Sequence, residues 1–118
     1  MRIRIKRVYD APSRMDGYRV LVDRLWPRGV RKADARLDEW AKDLGPSDEL
    51  RQWFKHDADR WRGFRRRYAR ELGANEDKLR ALIERSPKRT ITLLFAAKDT
   101  DRNNAVVLKD YIENELLG

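Results

Sequence analysis

The segment Gly17–Gly29 holds the residues of this chain that are best suited to chemistry. It reads Gly-Tyr-Arg-Val-Leu-Val-Asp-Arg-Leu-Trp-Pro-Arg-Gly, so a short apolar run is followed at once by an acid, two arginines and a tryptophan. Arginine can bind a phosphate or a carboxylate through two parallel hydrogen bonds, and tryptophan can stack on a flat ring. The sequence therefore predicts ligand-binding roles for Arg24, Trp26 and Arg28, with Asp23 as a weak candidate for a catalytic base.

A second group of polar residues follows the strand that we predict over Thr90–Ala97. If this strand runs parallel to the one predicted over Tyr18–Asp23, both carboxyl ends meet at one rim of the sheet, where open α/β domains bind ligands. Lys98 would add a positive charge there, and a helix starting near Asn103 would present free backbone N–H groups. We therefore expect a small anionic, phosphorylated or nucleotide-like ligand at the rim, with Lys98, Asn103 and Asn104 among its contacts.

The same residues also have a purely structural interpretation. Asp23 would pair with Arg24, Lys98 or another arginine and close the edge of the sheet. Trp26 and Pro27 would then only seal the core beneath the loop. The ligand site and the structural cluster are both open at this point.

Several kinds of chemistry are excluded or disfavoured by composition. The chain has no cysteine, which excludes disulfides, thiolate metal sites and cysteine nucleophiles. His56 is the only histidine, and its place near the end of a short predicted helix favours a structural role. The segment Asp99–Asn104 begins like a calcium loop, but its sixth residue is Asn104 where that loop needs glycine. We predict neither a metal site nor a cofactor.

The predicted helix 58–72 suggests a different function. Arg62, Arg66 and Arg70 recur every four residues and form one basic row along it. Such a row can bind nucleic-acid phosphates, so a nucleic-acid-binding or regulatory module is the alternative function. A solvated helix face is the other interpretation, because the aromatic residues of this helix fall on its opposite, buried side.

These residues must be positioned by strands and helices that the sequence indicates. Alternation in Arg2–Val8 predicts a half-buried edge strand, and the apolar run in Tyr18–Asp23 indicates burial on both faces. The predicted helices are 34–44, a short helix after Ser47, 58–72, 76–85 and 103–117. The first two strands lie too close in sequence for a helical crossover, so they pair antiparallel or their loop passes over one edge of the sheet. We predict a single α/β domain over residues 1–118, with a small three- to four-stranded, mainly parallel or mixed sheet flanked by about five helices.

The overall charge favours an anionic partner. The 118 residues include 28 Lys and Arg against 20 Asp and Glu, a formal net charge of +8. Such a charge attracts nucleotides, nucleic acids and phosphorylated metabolites, although a merely arginine-rich protein would show it too. No window approaches the about 18 apolar residues of a membrane span, and the basic start lacks the apolar run of a signal peptide. We expect a cytoplasmic protein without a membrane partner, and predict no particular oligomeric state.

Four segments of the chain resemble the bacterial YeaO-like family, a small branch of a larger family of domains of unknown function. They are Gly17–Gly29, Asp38–Phe54, His56–Gly73 and Thr92–Ile112. The string Val-Asp-Arg-Leu-Trp-Pro-Arg-Gly is the most specific part of the resemblance. The resemblance implies an α/β fold and no established activity.

The chain departs from this family at the start of the last predicted helix. In the family that this chain resembles, the sequence at this point is usually Asn-His-Ala. This chain has Asn103, Asn104 and Ala105 instead. Longer proteins that resemble this family have a cysteine at the corresponding rim of the sheet. An amide does not transfer protons near neutral pH, and the chain has no thiol. The rim could therefore bind a ligand, use Asp23 as a catalytic base, or act through a bound metal.

Overall fold

Parallel strands bring several strand ends together at one edge of the sheet. The computed structural model describes residues 1–118 and contains four strands: β1 (Arg2–Arg7), β2 (Tyr18–Leu21), β3 (Glu39–Trp40) and β4 (Thr90–Phe95). Their order across the sheet is β1-β4-β2-β3, and every neighbouring pair is parallel. The predicted α/β class, the parallel pairing of β2 with β4 and the edge position of β1 are therefore confirmed.

Five α-helices accompany the sheet. They are α1 (Lys32–Ala35), α2 (Asp48–Phe54), α3 (Trp61–Ala74), α4 (Glu76–Arg85) and α5 (Asn104–Tyr111), the last continuing as a π-helical stretch over Ile112–Leu116. Short 3-10 turns cover Arg14–Asp16, Lys42–Leu44 and Ala58–Arg60. Ser47 starts α2 as predicted, because its hydroxyl oxygen accepts a hydrogen bond from the Leu50 N–H. None of these helices is both long and apolar enough to cross a membrane.

The main core lies between one face of the sheet and helices α2 to α5. Val20 and Leu93 project from the strands into it and are fully buried, as are Leu79 and Leu108 from the helices. Tyr68 is also fully buried, and its hydroxyl donates a hydrogen bond of 2.5 Å to the Leu44 carbonyl. This bond attaches α3 to the segment that follows β3.

The opposite face of the sheet is covered by loops rather than by long helices. Val8, Leu21 and Leu94 form a second, smaller apolar cluster there. Trp26 packs edge-on against Trp40 above this cluster, with 5.3 Å between the ring centroids. The loop after β2 therefore seals the second face with the same tryptophan that the sequence singles out.

A buried ion pair holds the connection between β1 and β2 on this second face. Asp16 is 1% exposed and Arg19 is 5% exposed, and the Arg19 Nη1 donates to the Asp16 carboxylate at 2.5 Å. Lys6 Nζ lies 3.1 Å from both carboxylate oxygens. Arg19 Nη2 donates to the Ala35 carbonyl at 2.8 Å, and Thr92 Oγ1 donates to the Asp16 carbonyl at 2.6 Å. The charges are thus paired as burial requires.

The connection between β1 and β2 differs from one of the two predicted alternatives. Both strands pair with β4, with Arg2 opposite Thr90 and Tyr18 opposite Ile91, and β4 lies between them. The antiparallel alternative is therefore wrong, and residues 8–17 instead cross the face of the sheet. Gly17 completes this crossing with a φ of 65°, and a Cβ there would lie 2.2 Å from the Thr90 carbonyl oxygen, so only glycine fits.

The predicted helix 34–44 is also wrong. The helical part is α1, and it ends at Arg36, whose φ of 47° is left-handed. The chain then runs along the free edge of β2, where the Ala41 N–H donates to the Leu21 carbonyl at 2.9 Å. Pairing with that edge supplies the backbone hydrogen bonds that a helix would have made internally.

The apolar residues whose spacing predicted this helix lie on two different faces of the sheet. Leu37 and Trp40 pack against the smaller apolar cluster, whereas Ala41 and Leu44 belong to the main core. A short strand followed by a turn places residues on both faces, which imitates the periodicity of an amphipathic helix over this distance.

Candidate functional site at the carboxyl edge of the sheet

A cavity of about 750 Å³ lies at the carboxyl ends of β1, β2 and β4. Seven predicted site residues line it: Asp23, Arg24, Trp26, Arg28, Lys98, Asn103 and Asn104. They come together because β2 and β4 are parallel and adjacent, so the loops that follow both strands leave the sheet at the same edge. The structure thus places the two predicted groups around one cavity.

Two hydrogen bonds from the protein hold the Asp23 carboxylate in the wall of this cavity. One carboxylate oxygen accepts from the Ala96 N–H at 2.9 Å, and the other accepts from Asn104 Nδ2 at 3.0 Å. Burial raises the pKa of the Asp23 carboxyl above its usual value, although both hydrogen bonds act in the opposite direction. Asp23 therefore links the ends of β2 and β4 to the start of α5.

The two asparagines hold the start of α5 in place. Asn103 is buried, its side-chain oxygen accepts from the Val106 N–H at 3.0 Å, and its Nδ2 donates to the Asp99 carbonyl at 3.0 Å. Asn104 Nδ2 donates to the Val22 carbonyl at 2.9 Å as well as to Asp23. Both side chains therefore position the cavity wall through contacts within the protein.

Arg24 and Trp26 are also committed to internal contacts. Arg24 Nε donates to the Pro46 carbonyl and its Nη2 to the Gly45 carbonyl, both at 3.1 Å. Trp26 Nε1 donates to the Val30 carbonyl at 2.8 Å. Trp26 seals the smaller apolar cluster, as the structural interpretation expects. The expected pairing of Asp23 with Arg24, Lys98 or another arginine is wrong, because Asp23 takes part in no ion pair of the structure. Both Arg24 and Trp26 still border the cavity.

Arg28 and Lys98 differ from the other predicted residues because their charges are unpaired. Both side chains line the cavity and are exposed, and neither takes part in any ion pair of the structure. Only the backbone of Arg28 is engaged, since its carbonyl accepts from the Tyr9 hydroxyl at 2.8 Å. These two cations are available to a ligand without the loss of a contact within the fold.

Sequence reasoning missed Arg51 as a residue of the cavity. Its Nη2 donates to the Asp48 carboxylate at 2.6 Å, and its buried Nε has no hydrogen-bond partner within the protein. The spacing of Asp48 and Arg51 predicts an ion pair along α2, but only the packing of α2 beside the strand ends turns Arg51 toward the cavity. His56 also lines the cavity, where it follows α2 with a positive φ of 56°.

Apolar side chains form much of the remaining wall. Phe54 and Phe64 come from α2 and α3 and stack with 4.4 Å between ring centroids, and Leu25 and Pro27 come from the loop after β2. No group of three or more histidine, cysteine, aspartate or glutamate side chains in the structure is arranged to hold a metal ion. The cavity therefore offers cations, an apolar wall and the carboxyl groups of Asp23 and Asp99.

The arginine row of α3 lies apart from this cavity. Arg62, Arg66 and Arg70 are exposed and are absent from the cavity lining.

The loop over Asp99–Asn104 is closed by its own first side chain, since Asp99 Oδ1 accepts from the N–H groups of Asp101 and Arg102 at 2.9 and 3.0 Å.

The raised pKa of Asp23 predicts a pH-dependent contribution to stability. The folded carboxyl holds its proton more tightly than the unfolded one, so this group favours the folded state most at low pH. The free energy of unfolding of the wild type, minus that of Asp23→Asn, is expected to fall as the pH rises from the ordinary aspartate pKa of about 3.9 through the raised value. Urea unfolding of both proteins across this range measures the difference. A difference that stays constant or rises with pH would contradict the prediction.

Fold and site together define a small parallel α/β domain with a basic cavity at the carboxyl edge of its sheet. The chain belongs to the DUF488-N3i family, described as the inactive DUF488-N3 subclade, whose family model matches residues 2–118. This match, together with 46% identity to the YeaO protein of Escherichia coli, confirms the resemblance to the YeaO-like family.

Two relatives illustrate how far the similarity extends. The chain is 46% identical over 114 residues to the uncharacterized protein YeaO of Escherichia coli strain K12, which covers 97% of this chain and 99% of YeaO. It is 44% identical over 109 residues to the uncharacterized protein Rv3073c of Mycobacterium tuberculosis, which covers 91% of this chain and 90% of that protein. No solved structure matches the chain significantly.

Proposed function

We propose that this protein binds a small anionic, nucleotide-like ligand in the cavity at the carboxyl edge of its sheet. The observation that carries the proposal is the pair of cations, Arg28 and Lys98, which face one cavity and have no ion partner in the fold. Two unpaired cations beside a cavity create a positive potential that attracts a phosphate or a carboxylate. Arg24, which forms no ion pair, adds to this potential from a fixed position in the wall, whereas the charge of Arg51 is offset by Asp48.

The size and the lining of the cavity favour a ligand that also carries a flat ring. A volume of about 750 Å³ falls within the range of about 300–1,000 Å³ that small-molecule sites occupy. The half-buried ring of Trp26 borders the same space, and the buried rings of Phe54 and Phe64 form the wall behind it. A ring packed on this surface would place its anionic substituent toward the exposed cations at the mouth.

The same geometry supports binding without turnover. Asp23 is the carboxylate of the predicted rim that could act as a base, but each of its oxygens already accepts a hydrogen bond from the protein. The neighbouring position is Asn104, whose amide does not transfer protons, and the chain has no cysteine nucleophile. The description of the family as an inactive subclade agrees with a binding role.

Calorimetric titration with three related compounds tests the proposal. Adenosine 5′-monophosphate carries both a ring and a phosphate, ribose 5-phosphate carries only the phosphate, and adenosine carries only the ring. We expect adenosine 5′-monophosphate to bind most tightly, with a Kd below about 1 mM, and to weaken as salt is added. Equal affinity for adenosine would show that the cations play no part, and no binding of any of the three would overturn the proposal.

A further inference from the structure

Helix α3 presents a second basic surface that is not part of the cavity lining. Arg62, Arg66 and Arg70 lie on its outer side, all three are exposed, and none belongs to an ion pair of the structure. Residues four apart on a helix are separated by about 6 Å along its axis, so the row spans about 12 Å. This spacing resembles the distance between consecutive phosphates of a nucleic-acid strand.

A tryptophan from α2 holds further arginines beside this row. Trp53 packs across Gly63, where a Cβ would lie only 2.6 Å from the Trp53 ring. The guanidinium of Arg67 lies 3.9 Å from the centroid of the Trp53 ring, and that of Arg60 lies 5.3 Å from it. Glycine within α3 therefore allows a tryptophan to approach the helix and to hold Arg67 in a defined position.

None of Arg62, Arg66 and Arg70 forms an ion pair with a neighbouring acid, whereas Arg60, just before α3, pairs with Asp57. Helix α3 carries five arginines and one acid, Glu71. The Glu71 carboxylate is occupied by the Ser47 N–H at 2.8 Å and by the Ser47 hydroxyl at 2.6 Å. The Arg65 guanidinium is the one arginine of α3 that pairs with an acid, Asp110, at 3.4 Å. The outer row and Arg67 take part in no ion pair of the structure.

We propose that this surface, formed by Arg62, Arg66, Arg67 and Arg70, binds the phosphate backbone of double-stranded DNA. A row of unpaired guanidiniums along one side of a helix complements a ladder of phosphates, and arginine is well suited to phosphate oxygens. The ring of Trp53 already carries two guanidiniums, so it is not free to stack on the bases of a single strand. This favours the duplex over single-stranded nucleic acid.

The test compares two triple variants that lower the net charge equally. The first replaces Arg62, Arg66 and Arg70 by glutamine. The second replaces Arg14, Arg31 and Lys32 by glutamine, since these are exposed cations of the 3-10 turn Arg14–Asp16, of the residue before α1 and of α1 itself. Fluorescence anisotropy of a labelled DNA duplex of random sequence measures binding over a range of salt concentrations, with a single strand and an anionic phospholipid vesicle as further probes.

We expect the wild type and the second variant to bind the duplex, and the first variant to bind it at least about tenfold more weakly. The slope of log affinity against log salt is expected to fall by about 1 for each arginine removed from the row. The proposal is overturned if the duplex does not bind at low salt, if both variants lose affinity equally, or if only the single strand or the vesicle binds. Circular dichroism spectra that match the wild type confirm that the variants are folded.

Discussion

Replacing Asp16 by alanine is expected to lower the free energy of unfolding by about 3–5 kcal/mol, because removal of one partner leaves a buried charge without compensation. The carboxylate accepts hydrogen bonds from Arg19 Nη1, Lys6 Nζ and the Ser13 N–H. Arg19 is 5% exposed and cannot recover water in place of the lost carboxylate without opening the second face of the sheet. Urea unfolding at neutral pH measures the loss.

Two comparisons separate this effect from an ordinary loss of a surface contact. Arg80→Ala breaks the exposed ion pair between Arg80 and Glu76 and is expected to cost less than about 1 kcal/mol. The double replacement Asp16→Leu with Arg19→Met removes both members of the buried pair and leaves only the charge of the partly exposed Lys6, so it is expected to cost less than Asp16→Ala alone. A cost for Asp16→Ala that is similar to that of Arg80→Ala would contradict the assignment of a buried, paired charge.

Acid titration gives an independent check on the same carboxyl. Burial acts to raise the pKa of Asp16, but hydrogen bonds from the Ser13 N–H, Lys6 and Arg19 outweigh it and lower the pKa below the usual value. A lowered pKa means that Asp16 stabilises the fold above the unfolded pKa of about 3.9, and that this contribution is lost as the pH falls below it. The contribution of Asp23 changes above that pH and in the opposite direction, so the two carboxyls are distinguishable.

Replacing Arg28 and Lys98 together by glutamine is expected to weaken the binding of adenosine 5′-monophosphate at least about tenfold, the equivalent of about 1.4 kcal/mol. Hydrogen bonds to charged groups contribute about 1.5–3 kcal/mol each, so two lost contacts account for such a change. The melting temperature should stay close to that of the wild type, because neither side chain takes part in an ion pair of the fold. Calorimetry and thermal unfolding measure the two quantities.

A matched variant controls for the change in net charge. Lys88 and Arg89 are exposed cations at the amino end of β4, away from the cavity. Their double replacement by glutamine removes the same charge and should leave the affinity for adenosine 5′-monophosphate within about twofold of the wild type. Equal weakening by both double variants would mean that only the overall charge of the protein matters. Unchanged affinity in the Arg28 and Lys98 variant would refute their role.

Arg24 requires a different design, because the structure gives it a role in the fold. Its guanidinium donates to the carbonyls of Gly45 and Pro46, so Arg24→Ala is expected to affect stability and binding together. Arg28 and Lys98 are therefore the residues that separate ligand binding from folding.

Much of the architecture could be predicted from local sequence signals. Alternating residues in Arg2–Arg7 and the apolar run in Thr90–Phe95 identify two strands, because burial on one or two faces leaves a period that is visible in the sequence. Helix α4 has the predicted bounds, since Ser86 and Pro87 follow its last residue. The parallel pairing of β2 and β4 followed from the helices between them.

Other parts depend on contacts between distant segments and could not be predicted. Residues 39–40 form a strand because the edge of β2 offers backbone partners. The spacing of the apolar residues in the surrounding segment 34–44 favours a helix instead. The crossing of residues 8–17 over the sheet depends on the buried pair of Asp16 and Arg19, whose charges suggest exposure in the sequence. Tertiary contacts overrode local preference in both cases.

The candidate site shows the same division. Its location could be predicted, because parallel strands must end at one edge and the polar residues follow those ends. The sequence could not show which of these residues make contacts within the fold. Asn103 and Arg24 use their polar groups in hydrogen bonds within the protein, whereas the side chain of Arg28 is exposed and unpaired. Only the packing of α2 reveals that Arg51 joins the same cavity.

The most direct test of the proposed ligand site is a two-dimensional ¹H–¹⁵N NMR titration of the full chain with adenosine 5′-monophosphate. Binding in the cavity predicts saturable shifts of the backbone amides of Arg28, Lys98 and Asn104, with the amides of Arg62 and Arg66 on α3 unchanged. The same experiment with the Arg28 and Lys98 double variant should lose these shifts while the rest of the spectrum is retained. An absence of saturable shifts, or shifts confined to α3, would contradict an anionic ligand site at the carboxyl edge of the sheet.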